Sequence, residues 1–434
     1  MTCLARLAGG VLVLLLAFSD LLPAAAPAGL RDPVFEKLQF EQWAGKGETR
    51  IKWSVEVPPA ELSTHQRLML RVVTKIDGRE LEKRRGEGAF IAMLQITDAA
   101  GLVWQNHTPI DLGSLAPNVQ SQEFFVTHYA FVLPGEYVLT IAVCDTKTLE
   151  HSVSTRKLRV EGVKDDPLPR AFDGLPAVEF VPPTDGTPDV WFLPGIAGKL
   201  KLELAAKHRL EVQVLVNLTP SERQLGSAGA LRRNMSLAMP ALKVMSGMAI
   251  PNGTLRVALV DLEKHAVPYE QAVEPLAAEV LDWFRMRQVF TQATPGIVDV
   301  KTLANEWRMR GYFLEELARR LDAPLADGTV RVVIVISGPA FFEDPNRLVY
   351  EIAAHDPARQ LYYIRYRALP VRYPPPNRPG MRPVSQRPVV VNVPMLNDDL
   401  EKVALALNGK VFDATSSQQF RRILATIMEQ VSRF

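Results

Sequence analysis

Cysteine is nearly missing from this chain: of 434 residues, only Cys3 and Cys144 carry a thiol. That excludes a disulfide-stapled scaffold and any cysteine-rich zinc module. An excess of one charge sign is missing too. Lys and Arg number 50 against 48 Asp and Glu, a net +2, so no broad positive field points to nucleic acid as a partner. The seven histidines (65, 107, 128, 151, 208, 265 and 355) are scattered, and no two stand at the helical spacing of a metal-ligand pair. Gly86-Glu87-Gly88 lacks the third glycine of a dinucleotide loop, and Gly198-Lys199 lacks the upstream glycine and the hydroxyl residue of a phosphate loop. No Gly-x-Ser-x-Gly nucleophile elbow occurs. These absences argue against an enzyme and leave no cofactor to expect. What is present is ordinary for a globular protein, 47% hydrophobic and 23% charged, with length for about two or three domains. Proline is the exception, at 33 residues against a usual share of about 5%.

Residues 1–28 read as an address. Arg6 precedes an apolar run from Leu7 to Phe18 and on to Leu22, and small residues follow at Ala24, Ala25, Ala26 and Ala28. Basic start, apolar stretch and small-residue cleavage site are the order of a secretory signal peptide. Cleavage after Ala28 is expected, because cleavage after Ala26 would leave Pro27 at the new terminus. A retained anchor is the alternative, although the run is short for a span. No later run approaches 18 apolar residues, so no stable membrane span is expected after cleavage, and the location expected is secreted or periplasmic.

Residues 35–162 alternate with the period of two that marks half-buried strands. Ile51 to Val57, Leu68 to Ile76, Phe90 to Thr97, Leu102 to Trp104, Phe124 to Leu133, Tyr137 to Val143 and Thr155 to Val160 predict seven strands and a β-sandwich. The turn Pro134-Gly135-Glu136-Tyr137 with Leu139 and Ile141 beyond it resembles the strand entry of immunoglobulin-like domains, where a tyrosine hydroxyl ties the corner to backbone. Cys144 falls inside an alternating strand and reads as a small core residue. Trp43, Trp53 and Trp104 could stack a carbohydrate, but packing is the favoured reading for aromatic rings in a small β-domain. The mixed charges of Arg79 to Arg85 read as a solvated hairpin tip.

Residues 163–204 form a proline-rich linker, with prolines at 167, 169, 176, 182, 183, 188 and 194. Phe180, Val181, Trp191 and Phe192 argue that it is docked. Beyond it, from 205 to 434, nearly continuous apolar strands alternate with helical segments. Strands are expected at Leu210 to Val216, Leu255 to Leu262, Val330 to Ile336, Leu361 to Tyr366 and Lys410 to Phe412. Helices are expected at Glu270 to Phe290, Val300 to Leu321, Arg347 to Ala354, Asp398 to Leu407 and Ser417 to Val431. This is the pattern of a doubly wound, mostly parallel sheet covered on both faces.

Three strand ends carry a resemblance. The first strand runs into Asn217-Leu218-Thr219-Pro220-Ser221, the loop Thr294-Pro295-Gly296-Ile297-Val298-Asp299 follows later, and Val332 to Ile336 ends in Ser337-Gly338. With the order of elements, these segments resemble the von Willebrand factor A-like fold over residues 205–434. There the corresponding loops carry Asp-x-Ser-x-Ser, Gly-Gly-Thr-Asp and Asp-Gly and hold a divalent cation. The resemblance implies a cation site at Asn217, Thr219, Ser221 and Asp299, and the departures from it undo that site. Asn217 and Ser337 stand where the family has aspartates, and Val298 stands where it has a threonine. A hard dication needs anionic oxygens. Asp299 reads as the start of the following helix, where a carboxylate meets the positive N-terminal dipole, with a rescuing cation ligand as the alternative reading.

The segment from Pro357 to Asn397 contains arginines 359, 365, 367, 372, 378, 382 and 387, and neither lysine nor an acidic residue. Its proline-rich part, 367–388, interrupts the α/β domain and favours extended polyproline II geometry. Arginine forks recognise carboxylates and phosphates, and a preordered chain binds at low entropic cost. Arg372, Tyr373, Arg378 and Arg382 are therefore the candidates for docking an acidic protein or an anionic envelope component. A solubilising excursion is the plain alternative. The expectation is a non-enzymatic, exported protein-binding module, with a metal-dependent adhesion domain as the competing reading.

Overall fold

The computed structural model describes residues 29–44, 51–182, 189–219, 227–273, 281–292, 308–340, 356–366, 371–372, 389–390 and 398–434. The signal segment 1–28 and the expected helix at Arg347 to Ala354 lie outside them. Two short helices come first among the described residues. Helix α1 (Pro33–Lys37) has proline at its first position and Asp32 as its cap, with Oδ1 accepting from Val34 N at 3.0 Å. Helix α2 is Phe40–Ala44. Together they bury Phe35, Phe40 and Trp43 against Ile91, Met93, Ala142, Cys144 and Val153.

Two antiparallel sheets follow. One joins β1 (Trp53–Glu56), β2 (Glu61–Leu62), β3 (Leu68–Asp77), β6 (Glu123–Val132) and β9 (Val178–Val181); the other orders β5 (Val103–Asp111), β4 (Ala89–Asp98), β7 (Gly135–Asp145) and β8 (His151–Val160). Alternate residues of both sheets, among them Leu70, Val72, Leu94, Ile96, Leu139 and Ile141, share one core. The Tyr137 hydroxyl donates to Leu133 O at 2.9 Å, tying the β6–β7 corner to backbone. Strand β9 comes from the proline-rich stretch, so part of that stretch is a sheet edge.

The Arg79–Arg85 segment departs from a solvated tip. It starts with helix α3 (Gly78–Glu82), where Leu81 is fully buried and Arg84 reaches Glu80 at 2.9 Å and Glu150 at 2.6 Å. Gly78 is required there, because a Cβ would lie 1.9 Å from Val119 O. Trp43 and Trp104 are buried in two separate clusters, and Trp53 is partly buried against the Trp104 cluster and a neighbouring one. Among these tryptophans no shared stacking face forms. Cys144 is buried, and burial pushes its thiol up to about 12.

The second half is a six-stranded mixed sheet ordered β12-β11-β10-β13-β14-β17. Its elements, in chain order, begin with α4 (Asp189–Phe192), β10 (Arg209–Asn217), α5 (Ser227–Ser246), β11 (Gly253–Asp261), β12 (Ala266–Val273), α6 (Trp283–Gln292) and α7 (Met309–Asp322). They continue with β13 (Thr329–Ser337), β14 (Arg359–Tyr366), the separate pair β15 (Val371–Arg372) and β16 (Val389–Val390), then α8 (Asp399–Ala406), β17 (Lys410–Ala414) and α9 (Ser417–Ser432). Only β12 runs antiparallel to its neighbour; β11, β10, β13, β14 and β17 are parallel. Every residue of central β13 is buried, as a strand covered on both faces requires. One face packs on α5, α6 and α9 and the other on α7 and α8. Residues 270–273 belong to β12, not to a helix, and the helix expected from Glu270 begins at Trp283. No described helix is long and apolar enough to cross a membrane.

The two halves meet at Arg421, which is fully buried on α9. Its guanidinium pairs with Asp166 through Nε–Oδ1 at 2.6 Å and Nη2–Oδ2 at 2.8 Å, donates to Leu168 O at 3.0 Å and Gln66 O at 3.4 Å, and lies over the Phe172 ring. The β2–β3 hairpin, the proline-rich stretch and the last helix are thus clasped by one side chain.

Candidate functional site

Parallel strands in register put equivalent residues on one level. Asn217 on β10 follows the Val216–Ile336 pair and so faces Ser337 on β13; Ser337 pairs with Arg365 on β14, and Arg365 with Asp413 on β17. A polar row therefore crosses the sheet at the carboxyl ends of four strands, on the face that α7 and α8 cover. Strand carboxyl ends are where open α/β sheets place their sites.

The row is occupied by its own members. Asn217 Nδ2 donates to Ser337 Oγ at 3.0 Å and to Thr219 O at 3.4 Å, and Asn217 Oδ1 accepts from Thr219 N at 2.9 Å. Thr219 Oγ1 accepts from Leu262 N at 2.8 Å, and Ser337 Oγ donates to Gly338 O at 2.6 Å. Asn217, Thr219 and Ser337 are all buried. An amide N–H thus points at the serine where a cation site would present an oxygen. The structure brings together Asn217, Thr219 and Ser337. Ser221 and Asp299 lie outside the described residues, as do Tyr373, Arg378 and Arg382; Arg372 lies in β15. Among the described residues no three His, Cys, Asp or Glu side chains converge as metal ligands.

Beside this neutral knot lies a charged one. Asp398 caps α8, with Oδ1 accepting from Leu400 N and Ala340 N, each at 3.1 Å. Its Oδ2 lies 3.1 Å from both Arg365 Nη1 and Tyr363 Oη. Arg365 also holds Glu401 at 2.6 Å and Asp413 at 2.7 Å. Burial pushes the Asp398 carboxyl above its usual range, against the pull of these donors. Burial, with the adjacent Asp398 charge, holds the Tyr363 hydroxyl well above its ordinary value, so it stays protonated. It also reaches Gly338 O at 3.1 Å, so a continuous chain runs from Asn217 through Ser337, Gly338 and Tyr363 to Asp398 and Arg365. Such an arrangement fixes the rim, with the Tyr363 hydroxyl and the Asp398 carboxylate spent on buried hydrogen bonds and with Glu401 and Asp413, both partly exposed, held on the Arg365 guanidinium.

Sequence reasoning missed Arg365, Tyr363 and Asp398 as one cluster. Arg365 and Arg359 were counted with the basic segment, yet both sit on β14. Arg365 is held as described, and Arg359 pairs with Asp322 and Asp356. The signal available was their position inside an apolar strand, where an arginine must be paired.

No family model matches the sequence, and no curated protein matches it. Solved structures give distant likenesses. An aerotolerance-related membrane protein from Bacteroides fragilis, carrying multiple mutations to serines, is similar at 12% identity over 51% of this chain and 99% of that one, with a TM-score of 0.24. A Northeast Structural Genomics Consortium target is 18% identical over 26% of this chain and 88% of its own, at 0.17. A glycosyl hydrolase family 2 member from Bacteroides cellulosilyticus is 8% identical over 67% of this chain and 36% of its own, at 0.18. Scores this low set no overall correspondence of fold.

Proposed function

We propose that this chain is an exported, non-enzymatic protein-binding module whose α/β half is a von Willebrand factor A-like domain with a cation site that has become a neutral hydrogen-bonded knot. The immunoglobulin-like sandwich serves as its base. The observation that carries the reading is the Asn217–Ser337 hydrogen bond. A carboxylate pair at these positions would attract a dication and, through its open coordination position, an acidic residue of a partner. Asn217 and Ser337 instead satisfy each other, which leaves shape and the loops around the strand ends to recognise a partner.

The basic segment 367–388 supplies the second contact. By sequence, Arg372, Arg378 and Arg382 bring forked donors, and Tyr373 a ring and hydroxyl, to a proline-rich stretch suited to an acidic protein surface. Recovery of crosslinked partners by the mature chain, compared with the Arg372→Ser, Arg378→Ser, Arg382→Ser triple variant, tests this. The same partner should be captured by the wild type and lost or strongly reduced in the variant, with the melting temperature unchanged. Equal capture by both would remove the segment from the interface. The metal-dependent adhesion reading, through Thr219, Ser221 and Asp299, requires partner capture to vanish on chelation; the present reading requires it to survive.

A further inference from the structure

A cavity of about 470 Å³ opens between the β2–β3 hairpin, the middle of α5 and the carboxyl ends of β14 and β17. That is within the roughly 300–1,000 Å³ of small-ligand sites. Its walls include Leu62, Thr64 and Gln66 of the hairpin, Leu237 of α5, Tyr366 and Ser417. Tyr366 and Ala414 are register partners at the last level of β14 and β17, and strand carboxyl ends are where open α/β sheets place their ligands. The hairpin comes from the other half, and Gln66 Nε2 bridges to α9 by donating to Ser417 O at 3.0 Å. Both halves therefore build the cavity. It lies on the α5 and α9 face of the sheet, away from the Asn217–Ser337 rim, and neither site depends on the other.

The wall carries polar groups that the protein does not satisfy. Tyr366 is only 7% exposed. Its ring rests on Phe420, with centroids 5.7 Å apart, and its hydroxyl bonds no described residue. Burial alone holds that hydroxyl well above its ordinary value, so it stays protonated and able to donate. Gln66 is buried, and its Oε1 has no hydrogen-bond partner. The hydroxyls of Thr64 and Ser417 also bond no described residue. Their neighbours are committed: Thr415 N donates to Gln419 Oε1 at 2.7 Å, and Ser416 Oγ caps α9 by accepting from Gln419 N at 3.2 Å. Buried polar groups are ordinarily paired, and leaving one unpaired costs free energy that a ligand can recover.

The wall also selects the ligand. None of the described residues lining the cavity is charged, and Arg421, which donates to the Gln66 carbonyl, is spent on Asp166. An ion entering here would lose hydration without meeting a counter-charge. Hydroxyls and a carboxamide both donate and accept, so they suit a ligand whose own groups do the same. Leu62, Leu237 and the Tyr366 ring set apolar surface beside them. A sugar ring has this make-up, with hydroxyls around its edge and C–H groups on its faces. We propose that the cavity binds a neutral sugar ring, with the Tyr366 hydroxyl as its buried contact and the Thr64 and Ser417 hydroxyls completing the polar set.

The test is calorimetric titration of the mature chain with glucose, galactose and N-acetylglucosamine, each against glucuronate as an anion of similar size. Saturable binding of at least one neutral sugar is expected, weakened about tenfold in Tyr366→Phe and severalfold in Thr64→Val. Neither variant should lower the melting temperature, because the hydroxyls removed bond nothing in the protein; a structural hydroxyl would lower it. Titration with maltose, lactose and N,N′-diacetylchitobiose identifies the source. Tighter binding of the disaccharide assigns the site to a glycan chain, and equal or weaker binding assigns it to the free sugar. No saturable binding of any neutral sugar, binding unchanged in both variants, or glucuronate bound as tightly as the neutral sugars overturns the proposal.

Discussion

Asn217 and Ser337 stand 120 residues apart in the chain and 3.0 Å apart in the fold, joined by a hydrogen bond in which the amide is the donor. The direction of that bond matters more than its strength. It turns the pair of strand ends best placed to hold a cation toward each other, and the Asn217 carbonyl oxygen is taken by Thr219 N.

Asn217→Asp should therefore destabilise the protein. Aspartate has no N–H for Ser337 or Thr219 O, and its charge is buried beside hydroxyl and carbonyl oxygens. A loss of about 1–3 kcal/mol is expected, read as a lower urea midpoint with an unchanged slope. Added magnesium should leave the loss in place, since one carboxylate beside neutral hydroxyls offers too few anionic oxygens.

Arg421→Met should cost more. Removing the guanidinium leaves the half-buried Asp166 carboxylate and the Leu168 carbonyl without their donor, a change worth about 3 kcal/mol, the lower end for a fully buried pair. Burial alone would push the Asp166 carboxyl up; the hydrogen bonds from Arg421 and Leu168 N overcome this and hold it below its usual range. Because the same side chain clasps both halves, unfolding followed by fluorescence and by far-UV dichroism should split into two transitions. Adding Asp166→Asn to Arg421→Met should recover part of the loss.

Stability should fall in acid between about pH 6.5 and 4. Burial, with positive neighbours, lowers His65 to about 3, and burial, with His107, lowers His128 to about 4. In that window the unfolded chain binds protons at these two positions and the folded chain does not, so stability rises with pH and is complete above the unfolded value. Thermal melts across the window should show His65→Gln and His128→Gln each flattening the dependence.

Arg365→Met should loosen the start of α8. Asp398, Glu401 and Asp413 would lose their common cation, and amide exchange over 398–406 should accelerate more than over α9. Asp398→Asn should have a smaller effect, because Arg365 keeps two carboxylates.

The strands were legible in the sequence where the burial pattern is simple. Central β13 is apolar from Val332 to Ile336 and buried throughout, and β3 alternates over much of its length; β4 buries Phe90 to Leu94 without a break, because α1 and α2 cover Ile91 and Met93 on its other face. Strand β12 was not legible, for a definite reason. Its buried residues are Tyr269 and Val273, a spacing of four that both a strand and a helix satisfy, so the stretch from Glu270 reads as the start of a helix. At an edge strand with one covered face, too few buried positions remain to separate the two periods. The meeting of Asn217, Thr219 and Ser337 followed from strand-end positions. The Arg365–Asp398 contact and the Arg421–Asp166 clasp did not, because each depends on tertiary placement of charges that sequence alone reads as solvated.

The central claim is that the strand-end rim recognises without a cation. Calorimetric titration of the mature chain with magnesium, manganese and calcium tests it most directly. The account predicts no saturable heat with any of the three ions; micromolar binding that disappears in Ser221→Ala would contradict it.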